Sequence, residues 1–137
     1  MPITSPSFIN IDLELCAEDD LYLIAQEWGD QVMVLYYGEN KADKHGFQLI
    51  VECSCTIELP EAVLQAFLDL LKKLSPEAQQ LLAQCDKKIL DIGYDSGNDG
   101  RVITHPISNQ ILSELSQFGF YIHLTIYPLQ EASIEIK

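Results

Sequence analysis

Asp95-Ser96-Gly97-Asn98-Asp99-Gly100 is a dense run of side-chain oxygens and turn formers. An EF-hand loop wraps oxygens around calcium from positions 1, 3, 5 and 12, with Gly at position 6 for the sharp turn. Asp95, Asp99 and Gly100 fit positions 1, 5 and 6, but Gly97 at position 3 brings no side-chain oxygen. Pro106 stands where a bidentate Glu is required. A solvated turn is therefore expected. Cys53-Ser54-Cys55 sets two thiols on one side of an extended segment, where they could clamp a soft metal. Leu49, Val51 and Ile57 share that side, so the thiols are expected to pack as small hydrophobes. His45, His105 and His123 are scattered, without the spacing that supplies zinc ligands from one element. The chain has no nucleophile elbow, P-loop or dinucleotide fingerprint. No metal, cofactor or catalytic nucleophile is singled out.

What could position a functional surface is the alternation of the strands. Phe8 to Leu15 alternates Ile9, Ile11, Leu13 and Leu15 against Asn10, Asp12 and Glu14, the period of a half-buried strand. Phe47 to Leu59 does the same, with Leu49, Val51, Cys53, Cys55 and Ile57 opposing Gln48, Ile50, Glu52, Ser54, Thr56 and Glu58. Phe120 to Tyr127 sets Phe120, Ile122, Leu124 and Ile126 against Tyr121, His123, Thr125 and Tyr127. Ile89 to Tyr94 is a further strand, with Leu90, Ile92 and Tyr94 on one face. Val32 to Tyr37 is continuously apolar and predicts a central strand buried on both faces. A frayed strand over Ala132 to Lys137 completes the set.

Helical spacing appears between these strands. Glu18 to Trp28 carries Leu21, Ile24, Ala25 and Trp28 on one stripe, with acids at its start and Gly29 beyond its end. Pro60 and Glu61 open a helix whose stripe is Val63, Phe67, Leu70, Leu71 and Leu74. Ser75-Pro76-Glu77 starts another, with Ser75 as N-cap and Leu81, Leu82 and Cys85 inward. Ile107, Ile111, Leu112, Leu115 and Phe118 form the last, stopped by Gly119. The order β-α-β-β-α-α-β-α-β predicts an α+β two-layer sandwich, a mixed or antiparallel sheet of about five strands with helices on one face. No linker or low-complexity tract divides the 137 residues, so one domain spanning 1–137 is expected.

The charge balance narrows the partners. With 21 acidic against 8 basic side chains the net charge is −13, and eight acids precede the first basic residue, Lys41. Nucleic acids and anionic membranes need a positive surface, so neither is an expected partner, whereas a basic protein is. The longest apolar run, Val32 to Tyr37, is far shorter than the roughly 20 residues that span a bilayer. Met-Pro-Ile-Thr-Ser-Pro-Ser lacks the basic and apolar regions of a secretory signal, which makes the cytoplasm the expected location. There the cysteines are expected as thiols.

From Ile92 to Tyr127 the chain runs through a polar turn, the helix Ile107 to Phe118, Gly119 and a strand ending Thr125-Ile126-Tyr127. This stretch, mostly the C-terminal third, resembles a bacterial family of domains of unknown function. Its members are small α+β proteins ending in a helix-Gly-strand-Tyr pattern, and some are suspected immunity proteins of toxin systems. The resemblance implies a protein-binding role and no catalytic residues. Alternation supplies the candidate surface: Asp12 and Glu14, Glu52 and Glu58, and Tyr121, His123 and Tyr127 on the sheet face left bare by the helices. Carboxylates there would steer a basic partner and tyrosines would supply rigid contact area. The alternatives are an enzyme or small-ligand-binding domain with a pocket built from loops such as Gly38 to Gly46 and Asp95 to Pro106, and a structural subunit of a larger assembly.

Overall fold

A computed structural model describes residues 2–54 and 59–129. The elements follow the expected order: β1 (Ser7–Ala17), α1 (Tyr22–Trp28), β2 (Val32–Glu39), β3 (Phe47–Cys53), α2 (Pro60–Lys72), α3 (Pro76–Ala83), β4 (Lys87–Asp95), α4 (Asn109–Gln117) and β5 (Tyr121–Tyr127). The strands form one mixed sheet in the order β2-β3-β1-β4-β5. All neighbours are antiparallel except β4 and β5, which run parallel. A parallel pair needs a crossover, and α4 supplies it.

The helices cover one face of this sheet. Ile11, Leu13 and Leu15 of β1, Leu49 and Val51 of β3, and Leu90 and Ile92 of β4 join Leu21, Ile24 and Trp28 of the first helical region in the core. Val63, Phe67, Leu70, Leu71 and Leu74 join them, as their helical spacing predicts. Capping ties the helices to one another. Ser75 Oγ accepts from Ala78 N at 3.1 Å while the Glu27 carboxylate accepts from Ser75 N at 2.9 Å, so the last turn of α1 holds the start of α3. Ser108 caps α4 in the same way, and Glu61 of α2 accepts from its backbone N–H at 2.7 Å. Trp28 Nε1 donates to the Leu70 carbonyl at 3.1 Å, satisfying the one polar atom of a buried indole.

Several expectations are corrected. Val32 to Tyr37 belongs to an edge strand, not the central one; β1 is central. Apart from Val32, β2 is at least partly open to solvent, with Met33, Val34, Leu35 and Tyr37 all exposed, so its apolar run does not reflect burial on two faces. A bulge between Phe8 and Asn10 upsets the alternation at the start of β1. Phe8 therefore packs on Tyr94 and the core while Ile9 is exposed. The first helix begins at Tyr22, later than Glu18, and Asp20 Oδ1 accepts from the Tyr22 backbone N–H at 2.9 Å. Leu112 is exposed and Ile107 precedes α4 rather than lying in it. β3 ends at Cys53, with Ser54 and Leu59 outside it. Cys55, Thr56, Ile57 and Glu58, and the strand expected over Ala132 to Lys137, lie outside the described residues. Gly29 (φ 56°) and Gly119 (φ 84°) make the left-handed turns that lead from a helix into each edge strand.

Candidate functional site

The face of the sheet away from the helices is organised in rows, because the register fixes which side chains stand side by side. One row crosses all five strands: Met33 on β2, Glu52 on β3, Asp12 on β1, Asp91 on β4 and His123 on β5. Beside it runs a second, Tyr36, Ile50, Glu14, Ile89 and Tyr121. On the other flank Asn10 aligns with Gly93 and Thr125. Three carboxylates thus occupy adjacent positions on the three inner strands, framed by apolar and aromatic side chains.

Hydrogen bonds hold these carboxylates in place. Asn10 Nδ2 donates to Asp12 Oδ1 at 3.3 Å and also to Glu52 Oε2, bridging the pair across β1 and β3. Thr125 Oγ1 donates to Asp91 Oδ1 at 2.7 Å. Gln48, buried on this face, donates to Glu14 Oε2 at 2.8 Å and accepts from Lys41 N at 3.1 Å. Burial pushes the Asp12 carboxyl up to about 6, and the charges of Glu52 and Asp91 and the hydrogen bond with Glu52 add to the rise. At neutral pH the row therefore carries like charge at a local cost.

Gly93 marks where Tyr127 and Asn10 come together on this face. A Cβ there would lie 3.5 Å from Tyr127 Cε2 and 3.4 Å from Asn10 Oδ1, ordinary packing distances that place the Tyr127 ring beside Asn10 over this position. Tyr121 is 71% exposed and Tyr127 49%, so both rings present area to solvent. Cys16, on the same face beyond Glu14, is buried; its burial, then Glu14, push the thiol up to about 11. Cys85 is likewise pushed up to about 12, chiefly by burial. Both thiols stay protonated and weakly nucleophilic near neutral pH.

Of the expected site residues, Asp12, Glu52 and His123 share the central row, Glu14 and Tyr121 the next, and Tyr127 reaches the Asn10 flank. Glu58 lies outside the described residues. Asp91 was not among the expected residues, although alternation against Leu90 and Ile92 puts it on this face. Met33 and Tyr36 carry no such signal, because the continuous apolar run of β2 hides its alternation. Among the described residues no group of three or more His, Cys, Asp and Glu side chains is arranged to hold a metal ion. Nor is any described helix long and apolar enough to cross a membrane. No protein-family model matches the chain, and comparison with curated proteins and with solved structures likewise gives no match.

Proposed function

We propose that the open sheet face docks a basic protein and that the chain acts as a non-enzymatic binding protein of the immunity type. The observation that carries this reading is the row Glu52, Asp12, Asp91 and His123 in continuous register. Like charges directly opposite one another destabilise a sheet, so a cationic partner would relieve a cost that the free protein bears. Tyr36, Tyr121, Tyr127, Ile50 and Ile89 provide the apolar and aromatic area that carries binding energy once charge has steered the encounter. A cationic toxin or nuclease domain has the complementary charge. The reading includes a cytoplasmic site of action, where thiols such as Cys16 and Cys85 stay reduced.

Proton linkage follows from Asp12. A cation favours its ionised form, so with its carboxyl at about 6 in the free protein, binding releases a proton and weakens as pH falls through that value. The test is recovery of partners from the native host at low salt, followed by association rates of the purified pair. Wild type is compared with a variant carrying Asp12→Asn, Glu52→Gln and Asp91→Asn. A slower association with a shallower salt dependence supports the reading. An acidic or neutral partner, or an unchanged salt dependence, overturns it.

A further inference from the structure

The opposite side of the sheet holds a recess near the C-terminal ends of β4 and β5. It has a volume of about 440 Å³ and its walls come from four segments: Pro6 ahead of β1, the end of β4, the connection through Arg101, Ile103 and His105, and Leu124 and Ile126 of β5. Binding recesses for small molecules are mostly apolar, of this order of size, with a few convergent polar groups. Leu124 and Ile126 are 68% and 66% exposed, although they stand on the helix-facing side of β5, in register with Ile92 and Tyr94. Their exposed apolar surface faces this recess.

The walls are fixed by contacts between distant parts of the chain. Asn98 N donates to Thr4 O at 2.7 Å, Thr4 N donates to Asn98 Oδ1 at 2.6 Å, and Asn98 Nδ2 donates to Pro2 O at 3.1 Å. Ser96 N donates to Tyr127 O at 3.1 Å, tying the same loop to β5. Gly97 (φ 72°) sits so close to the N-terminal segment that a Cβ would lie 2.4 Å from Pro6 N. The run that resembles a calcium loop is thus a clasp over residues 2–6.

Polar groups converge on the apolar walls. Tyr94 Oη and His105 Nδ1 are hydrogen-bonded at 3.0 Å with their rings stacked 5.8 Å apart, and Phe8 packs edge-on to both. That bond orients the imidazole and leaves Nε2 as a further polar atom. Arg101 is the only arginine in the chain. Its Nε lies 3.7 Å from Asp99 Oδ2, and Asp99 is itself held by the Ser5 hydroxyl and by the Arg101 backbone N–H. The Arg101 side chain is 79% exposed and meets Asp99 only as a surface ion pair, so its terminal donors are open to a carboxylate. Asp95, also in the lining, repels anions at its own end of the recess, so Arg101 is the lining group that attracts a carboxylate.

From this arrangement we infer that the recess binds a small molecule with an apolar body and a single carboxylate, its tail against Ile92, Ile103, Leu124 and Ile126 and its carboxylate at Arg101. The inference is independent of the open face, which lies across the sheet. Octanoate, with 1-octanol and octylamine as neutral and cationic counterparts, tests it by amide chemical-shift mapping on the full chain. Octanoate is expected to shift Ser96, Ile103, His105, Leu124 and Ile126 at sub-millimolar to millimolar concentration, and to bind more tightly than either counterpart. Arg101→Gln should weaken octanoate roughly three- to tenfold, the loss of one exposed charge-assisted contact, and leave octanol unchanged. Ile126→Ser, at an exposed position that folding tolerates, should weaken both. Absent shifts, shifts confined to the open face, equal binding of octanol or octylamine, or an Arg101→Gln variant that binds octanoate normally would each overturn the inference.

Discussion

Neighbouring residues of β1 live in opposite worlds. Leu13 is fully buried between the sheet and the helices, while Asp12, one residue earlier, stands on the open face between Glu52 and Asp91. On the helix side apolar side chains interlock and favour the fold. On the open side charge is concentrated against the interest of the fold and held there by Asn10, Thr125 and Gln48. A sequence under selection for stability alone has no reason to align three acids on adjacent strands, and that contrast separates the surface that builds the molecule from the surface proposed to act.

The contrast can be broken most directly on the helix side. Phe67→Ala and Leu13→Ala, both at fully buried positions, should destabilise the fold by about 3–5 and about 2–5 kcal/mol respectively in denaturant titration. A cost within error at either position would mean that the two faces are not energetically distinct. Asp12→Asn should act with the opposite sign. A carboxyl whose folded pKa is raised, here from 3.8 to about 6, adds stability below its unfolded value and loses it as pH rises through about 6. Solvent screening at this half-buried position reduces the effect, so the substitution is expected to stabilise at pH 7 by about 1 kcal/mol, with the gain fading towards pH 4. Melting curves of both proteins across that range measure it, and a destabilised variant at pH 7 would show that Asp12 serves the fold.

How much of this was legible depended on how local the signal was. Alternation in β1, β3 and β5 assigned Asp12, Glu52, Tyr121 and His123 to one side because a period of two survives wherever a strand is regular. It failed at Ile9, where a bulge adds a residue, and in β2, where a register shift between Val34 and Tyr36 and an apolar edge disguise the pattern. Asp91 was readable but unremarkable until the register put it beside Asp12. The clasp of Asn98 on Thr4 joins residues 94 positions apart, and nothing in either segment announces the other. The recess at Arg101 shares that invisibility, since the clasp, the β4–β5 pairing and the Tyr94–His105 bond that join its walls are all contacts between separate segments.

A subtler comparison concerns thiols on the two sides. Cys16 lies on the open face and Cys85 against the helical layer, yet both are buried and both are held protonated. Each should label slowly in native protein and rapidly after denaturation, with Cys16 gaining reactivity first when the open face is perturbed. Mass-resolved thiol labelling of the Glu14→Gln variant tests this, because Gln48 and Cys16 both donate to Glu14 Oε2, at 2.8 and 3.7 Å. Unchanged Cys16 labelling would show that burial alone protects it.

The smallest expected effect discriminates among the causes acting on Asp12. Burial ranks first, the charge of Glu52 second and that of Asp91 third, with the hydrogen bond to Glu52 adding to its share. Glu52→Gln removes a charge, whereas Asp91→Asn removes only the weaker neighbour on the other side. Both should move the Asp12 titration back towards the ordinary carboxylate range, and Glu52→Gln should move it further. Because burial persists, neither substitution, nor the two together, should restore an ordinary value. Carboxyl carbon shifts followed by NMR across pH 3–8 read the ordering directly. If Asp91→Asn has the larger effect, the acidic row is centred on β4 rather than on the β1–β3 pair, and the most strongly cation-attracting point of the open face shifts towards His123.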